Sequence, residues 1–377
     1  MTLTQAFEAT FKRLPEVEGS APGRVNVIGE HIDYSGGWVL PYAIGFRTVV
    51  AIARRNDFRI NLVSLQKSGG PISVDCQNLL PRMTHSWADY VIGVIAELGV
   101  AGGFDILVDG NVPTGAGLSS SAALECATAV ALNALLGLGN SQQDLALTAQ
   151  RAENNFAGVP CGIMDQAVSM MAREAHALLL DCCTLETSHI PLDLAAAGLA
   201  LLVIDTRAKH ALADGGYAER RQSCEDVAAV LGVPSLRTAT LPMLAEARDR
   251  LSETEFVRAR HAITEIGRVH AAVDAMRAND WNELGRLITQ SHESLRDDYT
   301  VSCPELDMAV TAALAVGALG SRMVGGGFGG SAIALTPVGL IPAIESAVRD
   351  SYAAAGFAAP RFFVATPETG AYATLLS

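Results

Sequence analysis

The chain has 377 residues, half of them apolar and 18% charged, with a formal net charge of −13. That length exceeds the size at which one hydrophobic core usually stops growing, so two packed domains with a ligand cleft between them are expected. The acidic balance excludes nucleic acid and anionic membranes as partners, since both demand a basic surface, and leaves small polar substrates open.

The longest nearly continuous apolar run, Ala195 to Ile204, falls far short of the roughly 20 residues a bilayer span needs. The N-terminus lacks the basic, apolar and small-residue succession of a signal peptide, so a cytoplasmic location is expected. The seven cysteines (Cys76, Cys126, Cys161, Cys182, Cys183, Cys224 and Cys303) form no CxxC or Cys/His ligand spacing and read as reduced, buried residues.

In chain order, Arg24 to Gly29 has a strand pattern, and Gly36-Gly37 supplies a turn before a second apolar run, Trp38 to Ile44. Two strands around a tight turn are predicted. Thr48 to Ala53, Ile60 to Ser64 and Phe104 to Val108 read as further strands, and Trp87 to Leu98 as a helix. The loop VPTGAGLSSS then opens a long helix, AALECATAVALNALLG. A second helix is predicted from Ser141, its N-cap, to Phe156, and a third starts just after Pro160. Beyond a domain boundary near 195, the strand Leu199 to Asp205 precedes helices near 217–231, 255–277, 280–296 and 305–318. Two strands around a glycine-rich turn (Ser321 to Leu335), a helix near 340–355 and a strand, Arg361 to Ala365, complete the chain.

Four stretches carry residue types suited to chemistry. In Pro113-Thr114-Gly115-Ala116-Gly117-Leu118-Ser119-Ser120-Ser121, a strand-to-helix loop offers amide hydrogens, a helix dipole and hydroxyls, which together suit phosphate; a mobile loop with a serine N-cap is the alternative. No Gly-Lys dipeptide occurs, and the only lysines, Lys12, Lys67 and Lys209, are distant along the chain from the glycine loops. A lysine P-loop is therefore excluded, and triphosphate would be met by amides, metal and arginine. Glu153 is a candidate for holding Mg²⁺, with a solvated helix carboxylate as the alternative.

In GRVNVIGEHIDYSGGWVLP, Arg24 precedes Glu30, His31 and Asp33, three polar side chains within four residues that suit sugar hydroxyls. A lone histidine reads as a hydrogen-bonding residue rather than a metal ligand. In PCGIMDQAV, Asp165 falls in the first turn of a predicted helix, where it either caps the helix or, beside an arginine and a substrate hydroxyl, takes a proton. In SRMVGGGFGGSAIAL, five glycines in six positions exceed what a hairpin needs. Close packing against phosphate or a facing domain is the functional reading, and a bulged, mobile hairpin the other.

These four stretches, in this order and spanning residues 23 to 335, resemble the galactokinases of the GHMP small-molecule kinase superfamily. The resemblance implies an α+β, two-domain fold, with a ribosomal-protein-S5-like N-terminal domain over residues 1–195 and a ferredoxin-like C-terminal domain over 196–377, the active site lying between them. It also implies a left-handed βαβ crossover in the first domain. Asp165 matches the family's catalytic aspartate and Arg24 the arginine beside it. Glu30, His31, Asp33, Gly162 and Tyr217 match sugar-binding positions, with Asp165 also on the substrate. Pro113 to Ser121 matches the phosphate loop, Trp87 looks like the adenine-pocket aromatic, and Ser121 with Glu153 matches the Mg²⁺-holding pair, Ser120 being the alternative serine. Ser331 stands where many relatives carry cysteine, and Ile32 where threonine is common.

The resemblance implies transfer of the γ-phosphoryl group of ATP, with Mg²⁺, to the C1 hydroxyl of galactose in a monomer, a weak homodimer being the alternative. A kinase for N-acetylgalactosamine or arabinose and a non-catalytic galactose sensor are the rival readings. In a loose phosphoryl-transfer transition state, alignment and charge neutralisation outweigh early base strength, so Asp165 is expected to orient the hydroxyl and accept its proton late.

Overall fold

The computed structural model describes residues 1–208 and 213–376, with the backbone alone for 213–215; Lys209 lies outside the described residues. The first half comprises α1 (Leu3–Phe11), β1 (Val17–Asn26), β2 (Trp38–Val39), β3 (Pro41–Arg55), β4 (Arg59–Ser64), β5 (Ile72–Asp75), α2 (Ala88–Glu97), β6 (Gly103–Gly110), α3 (Ser120–Leu136), α4 (Gln142–Arg151), α5 (Met164–Met171), β7 (His176–Asp181) and β8 (Thr187–Pro191). The second half comprises β9 (Leu199–Asp205), α6 (Ala213–Leu231), α7 (Leu241–Glu246), α8 (Glu253–Ala278), α9 (Trp281–Asp297), α10 (Pro304–Val316), β10 (Gly320–Val324), β11 (Ser331–Pro337), α11 (Ile341–Ala355), β12 (Arg361–Ala365) and β13 (Tyr372–Leu375).

The first sheet has the order β13-β1-β3-β6-β4-β5, with β4 parallel to β6 and the other neighbours antiparallel. On one face α1 packs Ala6 and Phe7 against Ala51, Ala53 and Leu107. On the other lies α3, in which every residue from Ala122 to Leu132 is buried. A helix apolar on all sides belongs inside, and its alanines let it approach the sheet closely. At Gly19 of β1 the fit is tightest: a Cβ there would stand 2.2 Å from the Ala127 carbonyl oxygen.

The second sheet, β10-β11-β9-β12, is antiparallel throughout. Its outer strand β10 is covered by α9, where His292 Nδ1 accepts the Met323 amide at 3.3 Å. A third small sheet runs β2-β7-β8. The mixed α+β architecture and the strand–glycine turn–strand unit around 320–337 follow the sequence pattern.

Three readings change. The first strand runs over Val17–Asn26, earlier than Arg24 to Gly29, and no tight turn joins it to the next. Arg24 does pair with Ala43, but residues 27–40 loop away between them and β2 joins β7 in another sheet. The helix begun by Ser141, with its capping box to Asp144, gives way at Ala152–Ala157 to a π-helical turn. Of the seven free cysteines only Cys126 and Cys224 are buried, and Cys183 is exposed.

The last strand also returns across the molecule: β13 pairs with β1, Leu375 opposite Val17 and Tyr372 opposite Ser20. No helix among the described residues is long and apolar enough to cross a membrane. Because the Gly19 contact is backbone against backbone, Gly19→Ala is expected to destabilise the protein by about 1–3 kcal/mol, measured as a lowered midpoint in chemical denaturation.

Candidate active site

Strand β1 delivers Arg24 and the first turn of α5 delivers Asp165, and the two meet in a planar fork. Arg24 Nε donates to Asp165 Oδ1 and Nη2 to Oδ2, both at 2.8 Å, while Nη1 donates to the Gly117 carbonyl at 2.6 Å. Burial opposes the arginine's charge, but the carboxylates of Asp165, Glu30 and Asp33 outweigh it and raise the pKa further. Ser119 adds a third bond, its hydroxyl donating to Asp165 Oδ2 at 2.5 Å. Ser119 is the residue preceding α3 and adopts φ +60°, and its side chain caps no amide of that helix. Ser119 therefore takes up none of the first amides of α3 with its side chain.

On one side of Asp165 is a polar pocket of about 90 Å³, lined by Arg24, Glu30, His31, Asp33, Gly162, Met164, Asp165, Tyr217, Gly325 and Gly326. Gly162 is dictated by sterics, since a Cβ would lie 1.7 Å from Asp33 Oδ2. Desolvation first, and then the charge of Asp165, push the Asp33 pKa up from 3.8 to about 7. His31 is buried and neutral, its pKa pushed down to about 3 by burial and by His261. Because a carbonyl only accepts, Nε2 carries the proton toward Gly326 O at 3.2 Å, leaving Nδ1 to accept from the Tyr34 hydroxyl at 3.0 Å. The ring thus lines the pocket with both nitrogens committed to protein. Tyr217 closes the wall, its ring 5.3 Å from those of His31 and Tyr34, and burial keeps its phenol protonated.

A separate cavity of about 890 Å³ is lined by Trp87, Pro113, Thr114, Gly115, Ser120 and Ser121, together with Tyr90, Lys67, Arg207 and Arg361. The remaining loop residues face elsewhere: Ala116 and Leu118 are buried, Gly117 serves Arg24, and Ser119 serves Asp165. Lys67, remote from the glycine loops along the chain, is folded back into this cavity and corrects the expectation that no lysine stands near. Only the fold brings β4's end beside the loop after β6, so no local signal marks it.

Glu153 is buried in the π-helical turn, where Gln166 Nε2 donates to its Oε2 at 2.6 Å. Burial, with the charge of Asp165 behind it, raises its pKa to about 7. Gln166 also reaches Glu125 Oε2 at 3.2 Å, a fully buried acid on α3 that sequence reasoning missed; its i+4 spacing from Ser121 was the available signal. The glycine-rich turn packs against the phosphate loop, with Gly325 (φ +82°) so near that a Cβ would stand 3.0 Å from the Gly117 carbonyl oxygen.

Family models match this chain in three places: the galactokinase galactose-binding signature over residues 5–54, the GHMP kinases N terminal domain over 89–173 and the GHMP kinases C terminal over 272–354. It is 46% identical to a galactokinase of Streptomyces coelicolor over 98% of this chain and 97% of that one. It is 45% identical to a galactokinase of Homo sapiens over 92% and 91%. Among solved structures, the Lactococcus lactis galactokinase complexed with galactose superposes with a TM-score of 0.94, 34% identity and 99% coverage of both chains. A Methanococcus jannaschii mevalonate kinase, at 17% identity and a TM-score of 0.63, shares the fold.

A methyl at Gly162 would drive Asp33 out of place. Gly162→Ala is therefore expected to weaken sugar binding by about tenfold or more, read by calorimetric titration, with the thermal midpoint little changed.

Proposed function

The chain belongs to the galactokinase family and is an ATP-dependent sugar kinase; from that premise we propose that it moves the γ-phosphoryl group of ATP to the C1 hydroxyl of galactose, giving galactose 1-phosphate and ADP. The observation that carries this reading is the position of Asp165, held at both oxygens by Arg24 in the wall of a small carboxylate-lined pocket and bonded by Ser119 of the loop that edges a large cavity.

Galactose occupies the small pocket, where Glu30, Asp33, Asp165 and the Tyr217 hydroxyl receive or give hydrogen bonds to its hydroxyls, and His31 supports the wall. ATP occupies the large cavity, its base beside Trp87 and its phosphates over the α3 amides, with Lys67, Arg207 and Arg361 as further cations. Asp165 orients the C1 hydroxyl and accepts its proton as the bond to phosphorus forms. Arg24 keeps the carboxylate from rotating and stabilises the charge that develops next to it. Ser119 donates to Asp165 Oδ2, which supports a role for this loop serine beside the proton acceptor rather than on phosphate.

Ser121 and Glu153 offer adjacent hard oxygen donors, which suit Mg²⁺; among the described residues no cluster of three or more His, Cys, Asp or Glu forms a metal cage, so phosphates and water would complete the shell. Bound there, the ion neutralises phosphate charge. The protein divides for these purposes into residues 1–195, with both loops and Asp165, and 196–377, with the glycine-rich turn, apart from β13.

Asp165→Asn keeps the shape but removes the proton acceptor, and is expected to cut kcat by about 10²–10⁴-fold while galactose binding stays detectable. Coupled measurement of ADP formation with galactose checks both this and the activity itself; near-normal turnover in the variant overturns the assignment.

The Asp33 carboxyl titrates near pH 7, raised from 3.8, so the hydroxyl-accepting form grows as pH rises through that value. With ATP saturating, so that titration of Glu153 does not limit the rate, kcat/KM for galactose is expected to climb through neutrality. Asp33→Asn should lower it and flatten the climb, measured as a pH profile.

A further inference from the structure

Arg322 on β10 is fully buried, and among the described residues every hydrogen bond of its guanidinium runs into the segment that carries the sugar loop. Nε donates to the Val27 carbonyl at 3.0 Å, and Nη2 donates to the Asn26 carbonyl at 2.6 Å and to Glu30 Oε1 at 3.1 Å. The same carboxylate oxygen accepts the Gly325 amide at 2.8 Å. Glu30 lines the polar pocket, yet among the described residues its side-chain hydrogen bonds all fall on Oε1.

Two donors on one oxygen fix how a carboxylate is turned. We infer that Arg322 is a positioning residue for sugar recognition: by holding Oε1 it presents Oε2 of Glu30 to the sugar as a hydrogen-bond acceptor. This rests on the galactokinase reading given above. The geometry calls for arginine. Only a planar fork reaches two backbone carbonyls and a carboxylate together, whereas a lysine ammonium offers one compact point. Both charges are almost wholly out of water, 0% and 2% exposed, so each depends on the other for compensation. The pair also crosses from the second sheet to the loop after β1, so the glycine-rich turn and the sugar acid move as one body.

The test is steady-state kinetics on wild type, Arg322→Lys, Glu30→Gln and the double variant, with each substrate varied in turn. Arg322→Lys is expected to raise the galactose KM about tenfold while leaving kcat and the ATP KM within about twofold, since a bond to a charged acceptor is lost on the sugar side alone. In the Glu30→Gln background the same replacement should add less than about twofold, because the acceptor it orients is already altered. An unchanged galactose KM, an equal rise in the ATP KM, or fully multiplicative effects overturn the inference. Should Arg322→Lys fail to fold, a crystal structure of the wild type with galactose decides: a sugar hydroxyl on Oε2 with Oε1 still held supports it, and a sugar contact on Oε1 overturns it. Absence of ADP formation by the wild type with galactose would instead strike the functional reading itself.

Discussion

The bidentate pair between Arg24 and Asp165 is the constraint around which the site is arranged. It ties strand β1 to helix α5, and through the Gly117 carbonyl it ties both to the phosphate loop. It also places one cation among a crowd of acids. Asp33 and Glu153 are both pushed up to about 7, each by burial first and by the charge of Asp165 second. A single arginine cannot neutralise this many buried carboxylates, so the site prefers partly protonated acids until ligands with hydroxyls, or cations with phosphates, take up the excess charge.

The second constraint is the seam between the two halves. The loop bearing Glu30 and His31 springs from the first sheet, yet residues of the second half hold it. Glu265 on α8 accepts the Gly29 amide at 3.0 Å and the Ser291 hydroxyl at 2.6 Å, and is itself held below the usual carboxylate range, to about 2, where Arg268, His261 and Arg322 outweigh the cost of its burial. His261 hydrogen-bonds the Glu30 carbonyl at 3.2 Å. Arg237 stacks on Trp38 at 3.7 Å and pairs with Asp181, fastening β2 from outside. The pocket is thus a product of both halves, and its stiffness comes from bonds made far from the sugar.

The sequence was most readable where local chemistry decides structure. Ser141 and Asp144 form a capping box by themselves, the run of glycines between β10 and β11 marks its own turn, and Glu30, His31 and Asp33 sit close enough in the chain to share a pocket under almost any fold. It failed where distant residues decide. Val17 to Gly23 reads as VEGSAPG, poor in strand formers, because α3 lies on it and leaves space only for small side chains. Trp38–Val39 joins β7 because the partner strand arrives from residues 176–181, which no local pattern announces. Lys67 and Arg361 reach one cavity from opposite ends of the chain, and Ser119 turns from phosphate to Asp165 only because αL geometry aims it there.

The pairing of β13 with β1 sets a condition on how this molecule comes into being. Residues 17–20 must wait for residues 372–375, so an edge of the first sheet stays uncovered until that distant segment arrives. Closing so long a loop is slow, and an open edge is an invitation to other chains. During that interval Arg47 stands ready on β3: its guanidinium later reaches the Thr369 and Gly370 carbonyls and lies 5.0 Å from the Tyr372 ring, fastening the tail as it arrives. Residues 372–375 are therefore the latch of the first sheet, and that sheet is a property of both halves of the chain together.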